Sequence, residues 1–351
     1  MVTIACMALK PGMELAEDVV SSSNGIIMKA NTVLDNLAIN KLIRYSVMCV
    51  TIKEAEDYAT TRFEKVRLSK AFKEFEDVYN NNLNAYKYMI NDVIYNGNAI
   101  NKDYLFNIHD NIAKKAKSRE NLLNMLYYML PSEDDMTYVH CLNAALISNV
   151  VGVWLGLSNE DIKTLTLCGF LYDIGKLAIP NSILWKPEKL TDLEHDLVKR
   201  HTVIGYDMIK YQNLNPHILN ATLMHHERND GSGYPNKLKD EEIDIFAKYI
   251  AIIDSYEAMT SARVYRPSLN PFQVIENFER MGFEKFGTSI VKRVMEHIAN
   301  TQLGETVRLS NDVVGDVILI NEHCLSKPLI KNGNNVIDLS KETDIKIDAI
   351  L

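Results

Sequence analysis

The sequence contains no Cys-x-x-Cys pair. Its five cysteines, Cys6, Cys49, Cys141, Cys168 and Cys324, are far apart and odd in number, which excludes a disulfide framework and a thiolate zinc site and fits a reducing, cytoplasmic compartment. A basic excess is missing as well: 38 Lys and Arg against 46 Asp and Glu leave a formal net charge of −8. Coating DNA or RNA needs a broad cationic surface, so no polymeric nucleic acid is expected as partner, whereas a small anion held by a local cluster stays open. No basic stretch followed by an apolar run opens the chain, so a secretory signal is not expected. Internal repeats are absent too, and 47% hydrophobic with 24% charged residues excludes a disordered or fibrous chain. Finally, Asp, Glu, Lys and Arg are all missing from His140 to Asn159, a length that could span a bilayer. His140, Asn143, Ser148 and Asn149 interrupt that stretch, and each is costly in hydrocarbon, so it reads as a buried helix and no membrane insertion is expected.

What remains is 351 residues of ordinary composition, enough for about two or three domains. Residues 1–56 alternate short β-like runs with turn signals such as Lys10-Pro11-Gly12 and Asn24-Gly25, and one helix is expected near Asn36–Tyr45. Over 57–130 the apolar positions Phe63, Val66, Phe72, Phe75, Val78, Leu83, Tyr86, Met89, Ile90 and Val93 recur at helical spacing up to Asn96-Gly97-Asn98. That pattern predicts a long helix followed by one or two shorter ones, a linker or regulatory segment. Residues 131–303 are helical throughout, with punctuation at Gly156, Pro180, Pro187, Pro216 and Gly231-Ser-Gly233. Residues 304–351 turn β-like again, with strands expected at Thr306–Leu309, Val313–Ile320, Val336–Leu339 and Ile345–Ile350.

Six of the nine histidines fall between positions 140 and 226. Taken singly, each reads best as a surface or capped histidine. Together with Tyr172-Asp173-Ile-Gly-Lys176, His201, the adjacent His225-His226-Glu227 and Asp254 they form a ligand set suited to iron, manganese or zinc. Asp173 and Asp254 each end an apolar run, where an unpaired carboxylate is expensive to bury, so both call for a cation. His195 and His217 show no partner pattern and are read as ordinary surface histidines, as are His109, His297 and His323.

Tyr-Asp-Ile-Gly-Lys, a downstream His, His-His-Glu and Gly231-Ser232-Gly233-Tyr234-Pro235, in this order and spacing, resemble the HD-GYP family of metal-dependent phosphohydrolases. The tract Asp254-Ser-Tyr-Glu257-Ala-Met-Thr-Ser-Ala-Arg263-Val-Tyr265-Arg266 is similar to a further segment of that family. The resemblance covers about residues 136–301 and implies a mainly α fold: an all-helical HD-type bundle with small β modules at both termini. It implies cyclic di-GMP as ligand and its hydrolysis to pGpG or GMP, with iron or manganese ions as cofactors. By the same resemblance His140 and Asp254 are ligands of the first metal, Asp173 the bridging carboxylate, and His201, His225 and His226 ligands of the second. Lys176 corresponds to the lysine at the scissile phosphate, and Tyr234, Arg263 and Arg266 to positions that stack on or grip the nucleotide. Two ions sharing a bridging carboxylate suit in-line displacement at phosphorus, and a lysine three residues after that carboxylate shares its helical face. The arginines, three apart, offer planar forks for phosphate or guanine edges.

Two positions depart from the family pattern. Tyr172 stands where the family has a metal-binding His, and Met136 stands where three-metal members have a Glu four residues before the first His. Two divalent ions are therefore expected, with Tyr172 a weak substitute at the first. Asp134 and Asp135 are read as solvated helix-start acids. The expected function is a cyclic di-GMP phosphodiesterase. The competing reading is a catalytically silent relative that binds the nucleotide or a signalling protein, and a homodimer is compatible with either.

Overall fold

A computed structural model describes residues 2–21, 25–53, 62–130, 135–184, 186, 188–261, 268–342 and 344–351. At the N-terminus β1 (Val2–Ala5) pairs antiparallel with β4 (Cys49–Ile52), placing Val2 opposite Ile52 and Ala5 opposite Cys49. Between them β2 (Val19–Val20) pairs with β3 (Ile26–Met28). The Ser21 amide closes the loop on the Gly25 carbonyl at 2.8 Å, while Asn24 of the expected Asn-Gly turn lies outside the described residues. Helix α1 (Asn36–Arg44) starts where the Asp35 carboxylate accepts the Ala38 amide, an N-cap worth about 1 kcal/mol. Ile4, Met13, Leu15, Leu34, Leu42, Val50 and Ile52 close a small core of their own.

The helical body begins with α2 (Arg62–Leu68) and the 27-residue α3 (Lys70–Asn96), capped by Ser69 and stopped by Gly97 at φ +70°. Asn80, Asn81, Asn82 and Asn84 make α3 a poor helix by propensity, at up to about 0.7 kcal/mol each. Its buried stripe Phe72, Phe75, Tyr79, Leu83, Tyr86, Ile90 and Val93 outweighs this, since each fully buried large side chain contributes about 1.5–3 kcal/mol. Helices α4 (Lys102–Ala116) and α5 (Arg119–Tyr127) follow. Within α4, His109 is 6% exposed, which corrects its reading as a surface histidine: it lies on the face that also buries Leu105, Ile108 and Ile112.

The charge-free stretch is α6 (Met136–Trp154). By length and composition it could cross a membrane, but 78% of its most apolar window is buried inside the protein. Its closest partner is α7 (Asn159–Leu171). A Cβ on Gly169 would stand 2.5 Å from Ala145 Cα, so only glycine permits the two backbones to approach this closely. A 3-10 turn over Ile174–Ala178 then leads to α8 (Asn181–Leu184), α9 (Asp192–Lys199), α10 (His201–Ile209), α11 (Pro216–Met224) and α12 (Ile245–Thr260). Two more helices, α13 (Pro271–Met281) and α14 (Thr288–Asn300), complete the bundle. The fold is thus mainly α, with small sheets towards both ends.

The C-terminal sheet has strand order β8-β7-β6-β5-β9, from β5 (Thr306–Leu309), β6 (Val314–Leu319), β7 (Leu329–Asn332), β8 (Asn335–Asp338) and β9 (Ile347–Ile350). The sequence reading missed β7, whose four residues include only two apolar ones. Val307, Leu309, Val317, Ile330 and Ile347 from this sheet join the same core as α3 and α6.

Candidate metal centre

Four helices and one 3-10 turn converge on a pair of histidine and carboxylate groups. His140 comes from the second turn of α6, Asp173 follows Tyr172 at the end of α7, and His201 is the first residue of α10. His225 and His226 directly follow α11, and Asp254 lies on α12. One ligand-capable atom from each of Asp173, His201, His225 and His226 lies within 4.8 Å of the others, and so do those of His140, Asp173 and Asp254. Asp173 belongs to both groups, so the structure brings together all six ligands read from the sequence.

Asp173 is fully buried. Its Oδ2 pairs with Lys176 and lies 3.2 Å from His140 Nε2. Its Oδ1 lies 3.2 Å from His201 Nε2 and 3.6 Å from His225 Nε2 yet accepts no hydrogen bond of sound geometry. The imidazoles explain why. His201 Nδ1 meets the Val198 carbonyl at 2.6 Å, and His225 Nδ1 meets those of Ala221 and Thr222 at 3.1 Å. A carbonyl can only accept, so each Nδ1 carries the proton, and a neutral ring then presents a bare lone pair at Nε2. The two Nε2 atoms are 3.3 Å apart and face a carboxylate oxygen. Three acceptors converging in a dry site repel one another unless a cation lies between them, so the donor set fits a metal ion.

The electrostatics agree. Burial, with His225 beside it, holds His226 well below the ordinary histidine range, and burial also depresses His201. Burial by itself would raise Asp173, but Lys176 and the surrounding imidazoles outweigh it and keep the carboxyl ionised. The i, i+3 pairing of Asp173 with Lys176 runs through a 3-10 turn, where side chains three apart eclipse. Gly175 makes that turn possible: a Cβ there would stand 2.0 Å from the His201 carbonyl oxygen.

In the second group His140 Nε2 lies 2.9 Å from Asp254 Oδ1, while Nδ1 meets Glu257 Oε2. The sequence reading gave Glu257 no role. The signal was an acid three residues after Asp254 on an apolar helix, which puts both carboxylates on one face. Glu257 also accepts from Asn143 Nδ2 at 2.9 Å and from Ser261. It fixes the ring so that Nε2 faces Asp173 and Asp254.

Tyr172 is fully buried and reaches this group, with its hydroxyl 2.5 Å from His140 Nε2 and 3.2 Å from Asp254 Oδ1. Burial, with Asp254 and Asp173 nearby, pushes the phenol well above its ordinary range, so it stands here as a neutral hydroxyl. Met136, one turn before His140, is buried. Asp135 is paired with Lys87, which corrects its reading as a solvated acid. Asp134 lies outside the described residues.

Tyr234 stacks on His226 at 4.7 Å between ring centroids, on a loop that Glu227 holds by accepting the Asn236 and Leu238 amides at 2.6 and 3.0 Å. Gly233 packs against Glu227, where a Cβ would come within 2.4 Å of Cα. Arg263 and Arg266 lie outside the described residues.

A family model described as an HD domain matches residues 120–290. A cyclic di-GMP phosphodiesterase of Pseudomonas aeruginosa is 31% identical over 236 residues, 67% of this chain and 56% of that protein. Another, of Borreliella burgdorferi, is 30% identical over 227 residues, 63% of this chain and 59% of that protein. The chain belongs to the HD-GYP family. It spans somewhat over half the length of these curated relatives. The solved structure of an HDG"Y"P protein from Bdellovibrio bacteriovorus matches 85% of this chain and 99% of its own with a TM-score of 0.51, at 13% identity, a likeness of fold. HD-domain phosphohydrolases are metal-dependent, and among the described residues the paired groups around Asp173 could hold metal.

Proposed function

We propose that the protein is a phosphodiesterase that hydrolyses cyclic di-GMP to pGpG or GMP at a two-metal centre, in bacterial second-messenger signalling in the cytoplasm. The observation that carries this reading is Asp173, shared by two ligand groups with its buried Oδ1 left open toward two imidazole lone pairs. Two divalent ions, when bound, supply Lewis-acid activation of water and of the phosphodiester. His201, His225 and His226 would hold one, His140 and Asp254 the other, and Asp173 both. Nitrogen and carboxylate ligands without thiolate suit iron or manganese. Met136 offers no carboxylate for a third ion.

The chain's own residues complete the site. Lys176, seated on Asp173, holds a positive charge where a phosphoryl oxygen gains negative charge, the kind of preorganised contact that favours a transition state over a ground state. Tyr234 presents an aromatic surface beside His226 for a base. Arg263 and Arg266 are assigned to the nucleotide by the family resemblance alone. The similarity to two curated cyclic di-GMP phosphodiesterases supports the substrate.

Anaerobically purified protein is expected to carry about two iron or manganese ions per chain and to cleave cyclic di-GMP, read by elemental analysis and product chromatography. His226→Ala should lower the metal content and abolish turnover. Metal-loaded protein that binds cyclic di-GMP without cleaving it would replace this reading with that of a silent nucleotide-binding module, and unchanged metal content in His226→Ala would reject the ligand assignment.

A further inference from the structure

A line of hydrogen bonds runs from the long helix α3 to the ligand His140. On α3, Tyr79 is 1% exposed, and its hydroxyl donates to Asn143 Oδ1 at 2.7 Å. Asn143 Nδ2 donates to Glu257 Oε1 at 2.9 Å, and Glu257 Oε2 meets His140 Nδ1. The direction of every bond is set by chemistry. The ionised Glu257 only accepts, so Asn143 must turn its NH2 toward it and its carbonyl toward Tyr79, which must then donate. By the same logic His140 gives its Nδ1 proton to Glu257, which leaves Nε2 as the ring atom that would face an ion shared with Asp173 and Asp254.

Three members of this line ride on helices that already carry ligands. Asn143 lies three residues after His140 on α6, and Glu257 three residues after Asp254 on α12. Tyr79 belongs to neither helix. It sits in the stripe of α3 between Phe75 and Leu83, in the segment that links the N-terminal module to the ligand-bearing helices. Without its phenol, Asn143 would lose the only donor to its carbonyl that the described residues supply, at a buried position.

We infer that Tyr79 is a positioning residue for His140, and that through Tyr79–Asn143–Glu257–His140 the placement of α3 sets how tightly the first metal position retains its ion. A displacement of α3 by about 1 Å would carry the 2.7 Å bond beyond hydrogen-bonding range. The N-terminal end of α3, adjoining α2, is where such a displacement would enter from residues before it in the chain. The inference rests on the two-metal reading above but does not depend on the substrate.

The test is calorimetric titration of metal-stripped protein with manganese. Tyr79→Phe removes one oxygen and keeps the ring. It should weaken one of the two ions by about tenfold and leave the other unchanged, in line with the effect of removing partners one step behind a metal ligand. Glu257→Gln keeps a neutral acceptor and should lose less affinity than Glu257→Ala. Val93→Ala, about four turns later in the same buried stripe of α3, loosens the packing of that helix away from Tyr79, and should lower thermal stability while both manganese constants stay at wild-type values. Wild-type constants for both ions in Tyr79→Phe would overturn the inference, as would a loss in Val93→Ala equal to that in Tyr79→Phe, or a wild type that binds no manganese. Hydrolysis of cyclic di-GMP is measured in parallel. A wild type that binds two ions and cleaves nothing refutes the phosphodiesterase reading, while the comparison of constants still decides on Tyr79.

Discussion

At the scale of single residues, Tyr172 is the side chain on which the proposed first metal position turns. Its neutral hydroxyl lies 2.5 Å from the nitrogen of His140 that would face an ion and 3.2 Å from Asp254. A phenol far above its usual range offers a weak donor atom to a divalent cation, and it occupies a direction along which an ion would be approached. Tyr172→His should replace it with an imidazole that is neutral and available at pH 7. The expected outcome is tighter retention of the first ion, on the order of tenfold, with faster hydrolysis at limiting manganese and little change at saturation. Equal or weaker retention in titrations of the variant would show that the tyrosine is no defect. The residues of the two candidate groups were legible in the sequence because an aspartate after an apolar run, a histidine pair and a later aspartate stand in an order that resembles the family's. The role of Glu257 was not, since its spacing puts it on the face of Asp254 but says nothing of the histidine that stands opposite it. The burial of His109 was hidden for the same reason: periodicity located the stripe of α4, and a histidine within it reads as polar.

At the scale of elements, the site depends on how closely the 3-10 turn after α7 approaches α10. Gly175 packs onto the first turn of α10, and a methyl group there would meet the His201 carbonyl oxygen at 2.0 Å and the Gly205 nitrogen at 2.5 Å. Both are backbone atoms, so neither can rotate away. Gly175→Ala must push apart the segment bearing Asp173 and the helix bearing His201. It should destabilise the protein by about 1–3 kcal/mol or more and reduce metal content together with stability. Gly152 on α6 is a fitting contrast, because the one tight contact of its added methyl would be with the Ile162 side chain, at 3.1 Å, and alanine is the better helix former by about 1 kcal/mol. Gly152→Ala should therefore be close to neutral. Denaturant midpoints and elemental analysis check the ranking, and a Gly175→Ala protein with full metal and wild-type stability would contradict the close-approach argument. Most elements were legible: α3 announces itself by its stripe and its stop at Gly97, and α6 by its lack of charge. The strand β7 was not, because only two of its four residues are apolar, and its place between β6 and β8 is set by pairing on both sides and not by a pattern of its own.

At the scale of the whole molecule, two cores are expected to respond differently to metal. The core of the N-terminal module, from Ile4 to Ile52, contains none of the candidate ligands. The larger core runs from Phe72 through α6, α7 and α12 to Ile347 of the C-terminal sheet, and the ligands hang from its helices. An ion bound to the folded state and not to the unfolded one stabilises it by RT ln(1 + [L]/Kd), about 2.7 kcal/mol at a hundredfold excess over Kd. Two such sites at that saturation would contribute roughly 5 kcal/mol. With a shift of about 2–4 °C per kcal/mol for domains of 150–250 residues, removal of the metal should lower the unfolding temperature of the larger core by on the order of 10 °C. Chelation also leaves Asp173 with its buried oxygen facing two lone pairs, which adds to the loss. The N-terminal module has no such group to lose, so its own unfolding should not move. Scanning calorimetry of the full chain with and without chelator is expected to show one transition shifted downward and restored by manganese, and another unchanged. A transition that ignores the chelator in the larger core would mean that the paired groups hold no metal, and a shift of both transitions together would mean that the two cores unfold as one unit.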